Sequence, residues 1–168
     1  MEYPVLLTTE GNRTLAAFPD CAGCQTFAEP GEDILALAQE ALEGWLEVGL
    51  EDGEAPPRPS EKVRVPTGAR LKHVHVNPKL AVALYVRWAR QEAGMTQAAL
   101  ARKLGVSQQQ AAKLEQPTAN PTLDTLAKIA AALNVDFLVE LARRQRRLRL
   151  SDGAKPRRPR RADRAEDR

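Results

Sequence analysis

One stretch, residues 96–114, restricts the fold of this chain more than any other. It has the pattern of two short helices joined by a tight turn, because Gly105 permits the positive φ that such a turn requires. Leu100 and Leu104 are expected to face inward, and the small Ala101 lies where the second helix would cross closely. An ordinary helical hairpin explains the leucines but not the alanine, the glycine and the following serine in register. The spacing therefore predicts a helix-turn-helix motif.

Helical patterns continue on both sides of this motif. Asn77-Pro78 opens the first helix, with asparagine as the N-cap and proline at the first helical position. Val106 is expected to fill the corner beneath the turn, and Ser107 with Gln110 forms the capping-box pair that starts a helix. The five predicted helices cover residues 78–93, 97–104, 108–116, 123–133 and 137–147.

The first half of the chain has a different periodicity. Three short β-prone runs separated by turn residues, at Tyr3–Thr8, Thr14–Phe18 and Cys24–Phe27, predict a small antiparallel meander. The apolar period then changes to three and four over Gly31–Leu50, which predicts an amphipathic helix. The predicted fold class is therefore α+β, in which a small ββ(β)αβ unit precedes an all-α unit of five helices.

The region between the two units has little regular pattern. Residues 51–59 are acidic and proline-rich, which indicates a linker or an extended arm rather than a packed element. Val63–Val65 and Leu71–Val76 are strand-like, and one of them is expected to complete the edge of the sheet. The basic segment 150–168 has no apolar period, which predicts a disordered tail. The predicted division of the chain is 1–62, 63–76, 77–149 and 150–168.

Charge divides the chain in the same way. Residues 1–60 contain 12 acidic and 2 basic residues, whereas residues 61–168 contain 10 acidic and 23 basic ones. The basic half suits a polyanion such as DNA, while the acidic half suits a cationic partner and would be repelled by DNA. No apolar run is long enough for a membrane span, and the first residues lack the pattern of a secretory signal. We expect a cytoplasmic protein with no membrane partner.

The helical half resembles the XRE family of phage-repressor and Cro proteins. The run from Thr96-Gln97 to Glu115 carries the resemblance, and so does Asn120-Pro121-Thr122-Leu123. The resemblance implies a five-helix XRE bundle that binds a pseudo-palindromic operator as a homodimer, or as a tetramer of paired dimers. It also implies that Gln97 braces Gln108, which opens the recognition helix and reads adenine.

The start of the second motif helix carries three glutamines that suit base recognition. Glutamine makes two hydrogen bonds to adenine in the major groove, into which the N-terminus of a recognition helix points. Gln108 and Gln109 are the candidate base readers, Gln110 either reads a base or is used in the helix cap, and Lys113 suits a phosphate. Three further basic residues could simply be solvated surface charges: Arg87, Arg102 and Lys103. The candidate DNA-binding residues are Thr96, Gln97, Ser107, Gln108, Gln109, Gln110 and Lys113.

The acidic half resembles the HicB antitoxin family, in Phe18-Pro19-Asp20-x-x-Gly23-Cys24-x-Thr26 and in its order of elements. It departs from the family pattern at Cys21, where an apolar residue is more usual, and at residues 28–30, where a Gly-Asp pair is more usual. The resemblance implies a partial RNase H-like domain that lacks the nuclease's catalytic residues, so no enzyme is predicted. It further implies that this domain binds a basic, mRNA-cleaving toxin of the HicA type and covers its catalytic histidine. The helix-turn-helix domain would then repress the operon that encodes both proteins.

Two other interpretations of the chain stay open. Cys21 and Cys24 form a single Cys-x-x-Cys, which His73 and His75 could complete to a Cys2His2 zinc site. One such motif is weak evidence, and small buried thiols beside exposed imidazoles are the simpler interpretation, so no metal, cofactor or catalytic residue is predicted. The alternative function is a stand-alone XRE-family repressor whose first domain senses a ligand or the redox state.

Overall fold

A computed structural model describes residues 1–138 of the 168-residue chain, and the predicted α+β class is confirmed. Four strands and one helix form the first half in the predicted order, and four further helices follow. No helix among the described residues is long and apolar enough to cross a membrane. In chain order the elements are β1 (Glu2–Glu10), β2 (Arg13–Ala17), β3 (Gln25–Ala28), α1 (Ile34–Glu51), β4 (Arg70–His75), α2 (Pro78–Glu92), α3 (Gln97–Leu104), α4 (Gln108–Lys113) and α5 (Leu123–Leu133).

The strands form one antiparallel sheet in the order β3-β2-β1-β4. Of the two runs considered for its edge, Leu71–Val76 is the one that supplies a strand, because β4 pairs with β1 and places Val74 opposite Tyr3. Val63–Val65 is not a strand. Strand alternation directs every second residue of β1 to one face of the sheet, where these residues join a hydrophobic core with α1.

The core beneath the sheet draws on two helices. α1 begins after Asp33, whose carboxylate accepts hydrogen bonds from the backbone N–H groups of Leu35 and Ala36. Its buried residues recur every four positions and so lie on one helix face: Ala38, Leu42, Leu46 and Leu50. α2 adds five more buried side chains to the same core: Leu80, Ala81, Ala83, Leu84 and Trp88. The first helix of the predicted DNA-binding unit therefore also covers the sheet unit.

α2 contributes to a second, smaller core as well. Its Val86 belongs to a buried cluster with Leu100 of α3 and with Ile129 and Leu133 of α5. Because one helix serves both cores, residues 1–137 form a single compact unit. The predicted boundaries at 62, 76 and 149 remain predictions about which parts of the chain fold independently.

Residues 54–60, which we name the arm, are irregular but not free of the rest of the protein. The hydroxyl of Tyr3 donates to the carbonyl of Pro57 at 2.6 Å, and the indole Nε1 of Trp88 donates to the carbonyl of Pro56 at 2.7 Å. At the far end the carboxylate of Asp20 accepts from the backbone N–H of Ser60 at 2.9 Å. The expectation of an extended arm holds, but the expectation that it is unpacked is wrong, because aromatic donors distant in the sequence bind its carbonyls.

The helix ends follow the predicted capping signals. Asn77, Thr96 and Ser107 each cap a helix N-terminus with a side-chain oxygen. Gly105 and Asn134 end α3 and α5 in the left-handed conformation, with φ of 68° and 58°. The predicted fifth helix of the second unit, residues 137–147, lies outside the described residues except for residues 137 and 138, which are not helical. The tail predicted to be disordered, residues 150–168, also lies outside them.

Candidate nucleic-acid interface

The turn between α3 and α4 has the geometry that its sequence predicts. The backbone N–H of Val106 donates to the carbonyl of Ala101 at 3.0 Å, and the αL conformation of Gly105 makes this closure possible. Leu100 and Ala101 are buried against the second core and the crossing helix. Val106, which the sequence predicts to fill the corner beneath the turn, is 38% exposed. The buried Ala101 and the left-handed Gly105 agree with the predicted motif.

The N-terminus of α4 presents two free glutamines and one that is engaged. Ser107 and Gln110 form both bonds of a capping box, since the Gln110 side chain accepts from the Ser107 N–H at 3.0 Å and Ser107 Oγ accepts from the Gln110 N–H at 3.2 Å. Of the two roles predicted for Gln110, the structure shows the cap. Gln108 and Gln109 are exposed at the first two positions of the helix, and Lys113 is exposed at its end. The arrangement leaves the adjacent pair available to a ligand in front of α4.

Thr96 and Gln97 open α3 and serve its structure. Thr96 Oγ1 accepts from the N–H of Ala99 at 3.1 Å as the N-cap. Gln97 is half-buried, and its Nε2 donates to Glu115 at 3.2 Å. The expected brace between Gln97 and Gln108 is therefore replaced by a contact with a carboxylate that follows α4. Gln97 still links the start of α3 to the end of α4, but it does not hold Gln108.

Glu115 is the centre of a buried polar cluster that the sequence did not reveal. Its side chain is fully buried and accepts from Arg87 Nε at 3.2 Å, from Arg90 Nη2 at 2.9 Å and from Arg90 Nε. Arg90 also donates to the carbonyl of Met95 at 2.7 Å. Two arginines of α2 thus hold the residue that follows α4. We name Arg87, Arg90, Gln97 and Glu115 the carboxylate cluster.

The carboxylate cluster keeps Glu115 ionised. Burial raises the pKa of this carboxyl, but hydrogen bonds from Arg90 and Gln97 and the charges of both arginines outweigh burial, so the pKa is lowered. The hydrogen bond to Glu115 in turn raises the pKa of Arg90. The cluster is thus a charged, satisfied network, and among residues 1–138 no buried side-chain polar atom lacks a hydrogen-bond partner.

The three basic residues interpreted as surface charges have different environments. Arg87 is 2% exposed, so a surface charge is the wrong interpretation for it. The signal was present in the sequence, because Arg87 lies four and three positions after the buried residues Ala83 and Leu84 on α2. Lys103 is exposed and donates to the carbonyl of Ala132 at 2.9 Å, at the end of α5, and Arg102 is exposed. Arg102, Lys103 and Lys113 leave the motif with an exposed positive charge.

The cysteines and histidines of the hypothetical zinc site do not come together. Cys21 and Cys24 are buried, His73 and His75 are exposed, and His75 Nε2 lies 2.8 Å from the carboxylate of Glu2. Residues 1–138 contain no group of three or more potential metal ligands. Burial raises the pKa of Cys21 to about 12 and that of Cys24 to about 11. Both thiols are therefore held in the protonated form, in contrast to reactive cysteines, whose pKa is lowered.

Comparison with known families divides the chain as the charge does. Residues 3–67 match the family model described as a HicB-like antitoxin of bacterial toxin-antitoxin systems, and residues 86–139 match the one described as helix-turn-helix. Two proteins of Photorhabdus laumondii subsp. laumondii are similar over most of their lengths. Antitoxin HicB 1 is 29% identical over 134 residues, which are 79% of this chain and 82% of that protein. Antitoxin HicB 2 is 28% identical over 137 residues, or 79% of this chain and 91% of that protein.

Two solved structures resemble parts of the chain. A chain of the HicA3 and HicB3 toxin-antitoxin complex is 26% identical, covers 46% of this chain and 100% of that chain, and has a TM-score of 0.41. A chain of the HipA-HipB-O2-O3 complex is 28% identical, covers 41% of this chain and 97% of that chain, and has a TM-score of 0.36. The family models and the two antitoxins agree with each other. Residues 3–67 therefore match the HicB-like antitoxin family, and a segment that matches the helix-turn-helix family follows them in the same chain.

Proposed function

We propose that this chain is a type II antitoxin with two activities in one molecule. Its first half neutralises a basic, mRNA-cleaving toxin of the HicA type, and its helix-turn-helix domain represses the operon that encodes both. The observation that carries the proposal is the joining of a HicB-like antitoxin segment to a helix-turn-helix segment of opposite charge. The names of the relatives, both called Antitoxin HicB, support the first activity. Both activities belong to a regulator in the cytoplasm rather than to an enzyme.

The surface charge of the first half supports a basic partner. α1 carries exposed carboxylates at Glu40, Glu47 and Glu51 on its solvent side, and these make no ion pair with any residue from 1 to 138. Carboxylates in this arrangement attract a cationic protein from a distance and resemble the charge of its RNA substrate. An acidic surface of this kind repels DNA, so it serves a partner other than the operator.

The second half supplies the features that operator binding requires. Gln108 and Gln109 are proposed to read bases, since they are exposed at the N-terminus of α4. Thr96 and Ser107 are proposed to contact phosphates through their hydroxyl groups, which accept in the helix caps and still have a proton to donate, and Lys113 through its charge. Gln97 and Gln110 are proposed to act indirectly, because their side chains are engaged by Glu115 and Ser107. We propose a homodimer on a pseudo-palindromic operator, since a two-fold dimer places two such helices in successive major grooves.

Three variants of the full chain separate base reading from phosphate contact in operator binding. Gln108→Ala and Gln109→Ala should each weaken binding to the cognate operator by roughly 1–3 kcal/mol and relax specificity at one position. Lys113→Ala should weaken binding to all sequences about equally and reduce the salt dependence. Gel shifts on matched and mismatched operators at two salt concentrations distinguish these results. Equal losses on both operators for the glutamine variants would contradict base reading.

Toxin neutralisation is tested in the same variants. The HicA-like toxin of the proposed operon is expressed alone, with the full chain, and with the Gln108→Ala/Gln109→Ala double variant. We expect both forms of the full chain to restore growth, because the substitutions lie on α4 and leave the acidic surface unchanged. A verified, expressed toxin whose toxicity neither form reduces would contradict the antitoxin proposal and would favour a stand-alone repressor.

A further inference from the structure

An open groove of about 480 Å³ lies between α1 and the arm. Its lining on the α1 side has the small residues Ala41, Gly44 and Gly49 beside the larger Trp45 and Val48, and residues 23–25 and the arm complete the walls. The small residues leave little side-chain bulk along the part of α1 that faces the groove. The groove is therefore shaped to receive a side chain from another molecule rather than being filled by its own.

The groove is formed before any partner arrives. The arm is fixed by the hydrogen bonds from Tyr3 to the carbonyl of Pro57 and from Trp88 to the carbonyl of Pro56, at 2.6 and 2.7 Å. Its approach to α1 is close, since a Cβ placed on Gly49 would lie 3.2 Å from Cγ of Pro56. At Gly44, in contrast, a Cβ would meet no atom within 4 Å. A preformed concave site loses less conformational entropy when it binds.

The rim of the groove has a single sign of charge. Asp52 and Glu54 line it, and Glu40 and Glu47 lie one helical turn on either side of Gly44. None of these four carboxylates has an ion-pair partner among residues 1–138. Beside them Val48 is 57% exposed, which gives the rim an apolar contact. Such a site complements an apolar side chain with a lysine or arginine next to it.

We propose that this groove is where the toxin docks on the chain, with an apolar side chain seated over Gly44 and an adjacent cationic side chain against Asp52 and Glu54. The inference rests on the proposed function, because it names the contact surface for the basic partner. Charge complementarity selects this occupant: the carboxylate rim attracts a cationic protein and disfavours an acidic one. The buried apolar contact supplies affinity that salt does not screen, while the rim supplies a component that salt does screen.

The test uses the full chain and the HicA-like toxin of the proposed operon, which an active-site substitution makes non-toxic. Gly44→Leu places a side chain in the groove, and its Cβ would meet no atom within 4 Å, so it should weaken toxin binding roughly 30-fold or more, as expected for a blocked central contact. The matched control is Ala36→Leu, at an exposed position of α1 that does not line the groove, and it should bind as the wild type does. Calorimetric titrations give the affinities, and melting curves verify that both variants are folded.

A charge variant provides the second measurement. Asp52→Asn with Glu54→Gln should weaken binding about 3- to 10-fold at low salt, and the difference should nearly vanish at high salt. If the wild type binds the toxin and both Gly44→Leu and the charge variant bind equally well, the groove proposal is wrong while the antitoxin proposal stands. If the wild type itself does not bind the toxin, both proposals are wrong.

Discussion

The sheet region and the helix-turn-helix region of the described chain bury different types of side chain. The core beneath the sheet contains no charged side chain, and its α1 contributes a row of leucines at intervals of four. The helix-turn-helix region has a smaller apolar core, beside which the fully buried Glu115 is held by Arg87 and Arg90. Among residues 1–138 the buried charged residues are Arg87 and Glu115, and both belong to the second region.

This difference follows from the length of the helix that must be positioned. α1 has 18 residues and can bury a complete row of side chains, so apolar area alone fixes its place. α4 has 6 residues and buries only Ala111, which cannot orient a helix by itself. Hydrogen bonds to Glu115 have definite directions, so they help to fix the end of α4 together with Leu114, which packs against the second core. Apolar packing therefore holds the sheet region together, whereas directional polar contacts help to hold α4.

The largest expected effect concerns the helix that the two regions share. A fragment of residues 77–168 keeps α2 to α5 but exposes Leu80, Leu84 and Trp88, which the sheet region covers in the full chain. Since burial of each such side chain contributes about 1.5–3 kcal/mol, we expect the free energy of unfolding to fall by on the order of 5 kcal/mol. Denaturant titrations followed by circular dichroism compare the fragment with the full chain. Equal stability would show that the regions are independent domains, as the sequence indicated.

Removal of the buried carboxylate is expected to have the next largest effect. Glu115→Ala leaves Arg87 and Arg90 without their counter-charge, and breaking a buried pair in this way costs about 3–5 kcal/mol. The matched control is Glu92→Ala, which removes an exposed pair with Arg58 and should cost less than about 1 kcal/mol. Urea titrations of the full chain measure both. Equal costs for the two variants would contradict a special role for the carboxylate cluster.

Acid should reduce the stabilisation that the ionised Glu115 gives to the fold. The folded-state pKa of Glu115 is lowered below the ordinary value of 4.5, so its ionised form stabilises the fold. That stabilisation is complete above the ordinary value and is lost as the pH falls through the lowered one. The difference in unfolding free energy between the wild type and Glu115→Gln should therefore shrink below about pH 4.5. A difference that stays constant down to pH 2 would show that the carboxylate is not the stabilising species.

A truncation in the apolar region should cost somewhat less and should not depend on pH. Leu42 is fully buried on α1, and Leu42→Ala is expected to cost about 2–5 kcal/mol through lost transfer free energy and a cavity. No ionisable group is removed, so the loss should be the same at pH 4 and pH 7. Parallel urea titrations at the two pH values check this. A strong pH dependence would break the contrast between an apolar and a polar region.

Local features of the chain were predictable because their causes are local. The caps at Thr96 and Ser107 and the positive φ at Gly105 each depend on residues within a few positions. The α1 row follows from periodicity, which a single sequence displays directly, whereas periodicity left open which of Val63–Val65 and Leu71–Val76 completes the sheet. The prediction of the turn motif was correct for this reason.

Features that join distant parts of the chain were not predictable from local pattern. Glu115 follows Leu114 at the end of a short helix and looks like a surface charge, and its arginine partners lie 25 and 28 residues earlier. The arm has the composition of a linker, yet the indole of Trp88, 32 residues later, binds its carbonyl. Both cases depend on hydrogen bonds between groups that are far apart in the sequence. The spacing of hydrophobic residues does not predict such bonds.

The smallest expected effect tests whether the arm is packed on α1. Glycine within a helix is less stable than alanine by roughly 0.5–1 kcal/mol, so Gly44→Ala, at which a Cβ meets no atom within 4 Å, should stabilise the full chain by about that amount. Gly49→Ala places its Cβ 3.2 Å from Cγ of Pro56, so the arm must shift and part or all of the gain is lost. The two variants share a helix and a substitution, which leaves the contact with the arm as their difference. Melting temperatures and denaturant midpoints compare them, and an equal gain at both positions would mean that the arm is as free as its composition suggested.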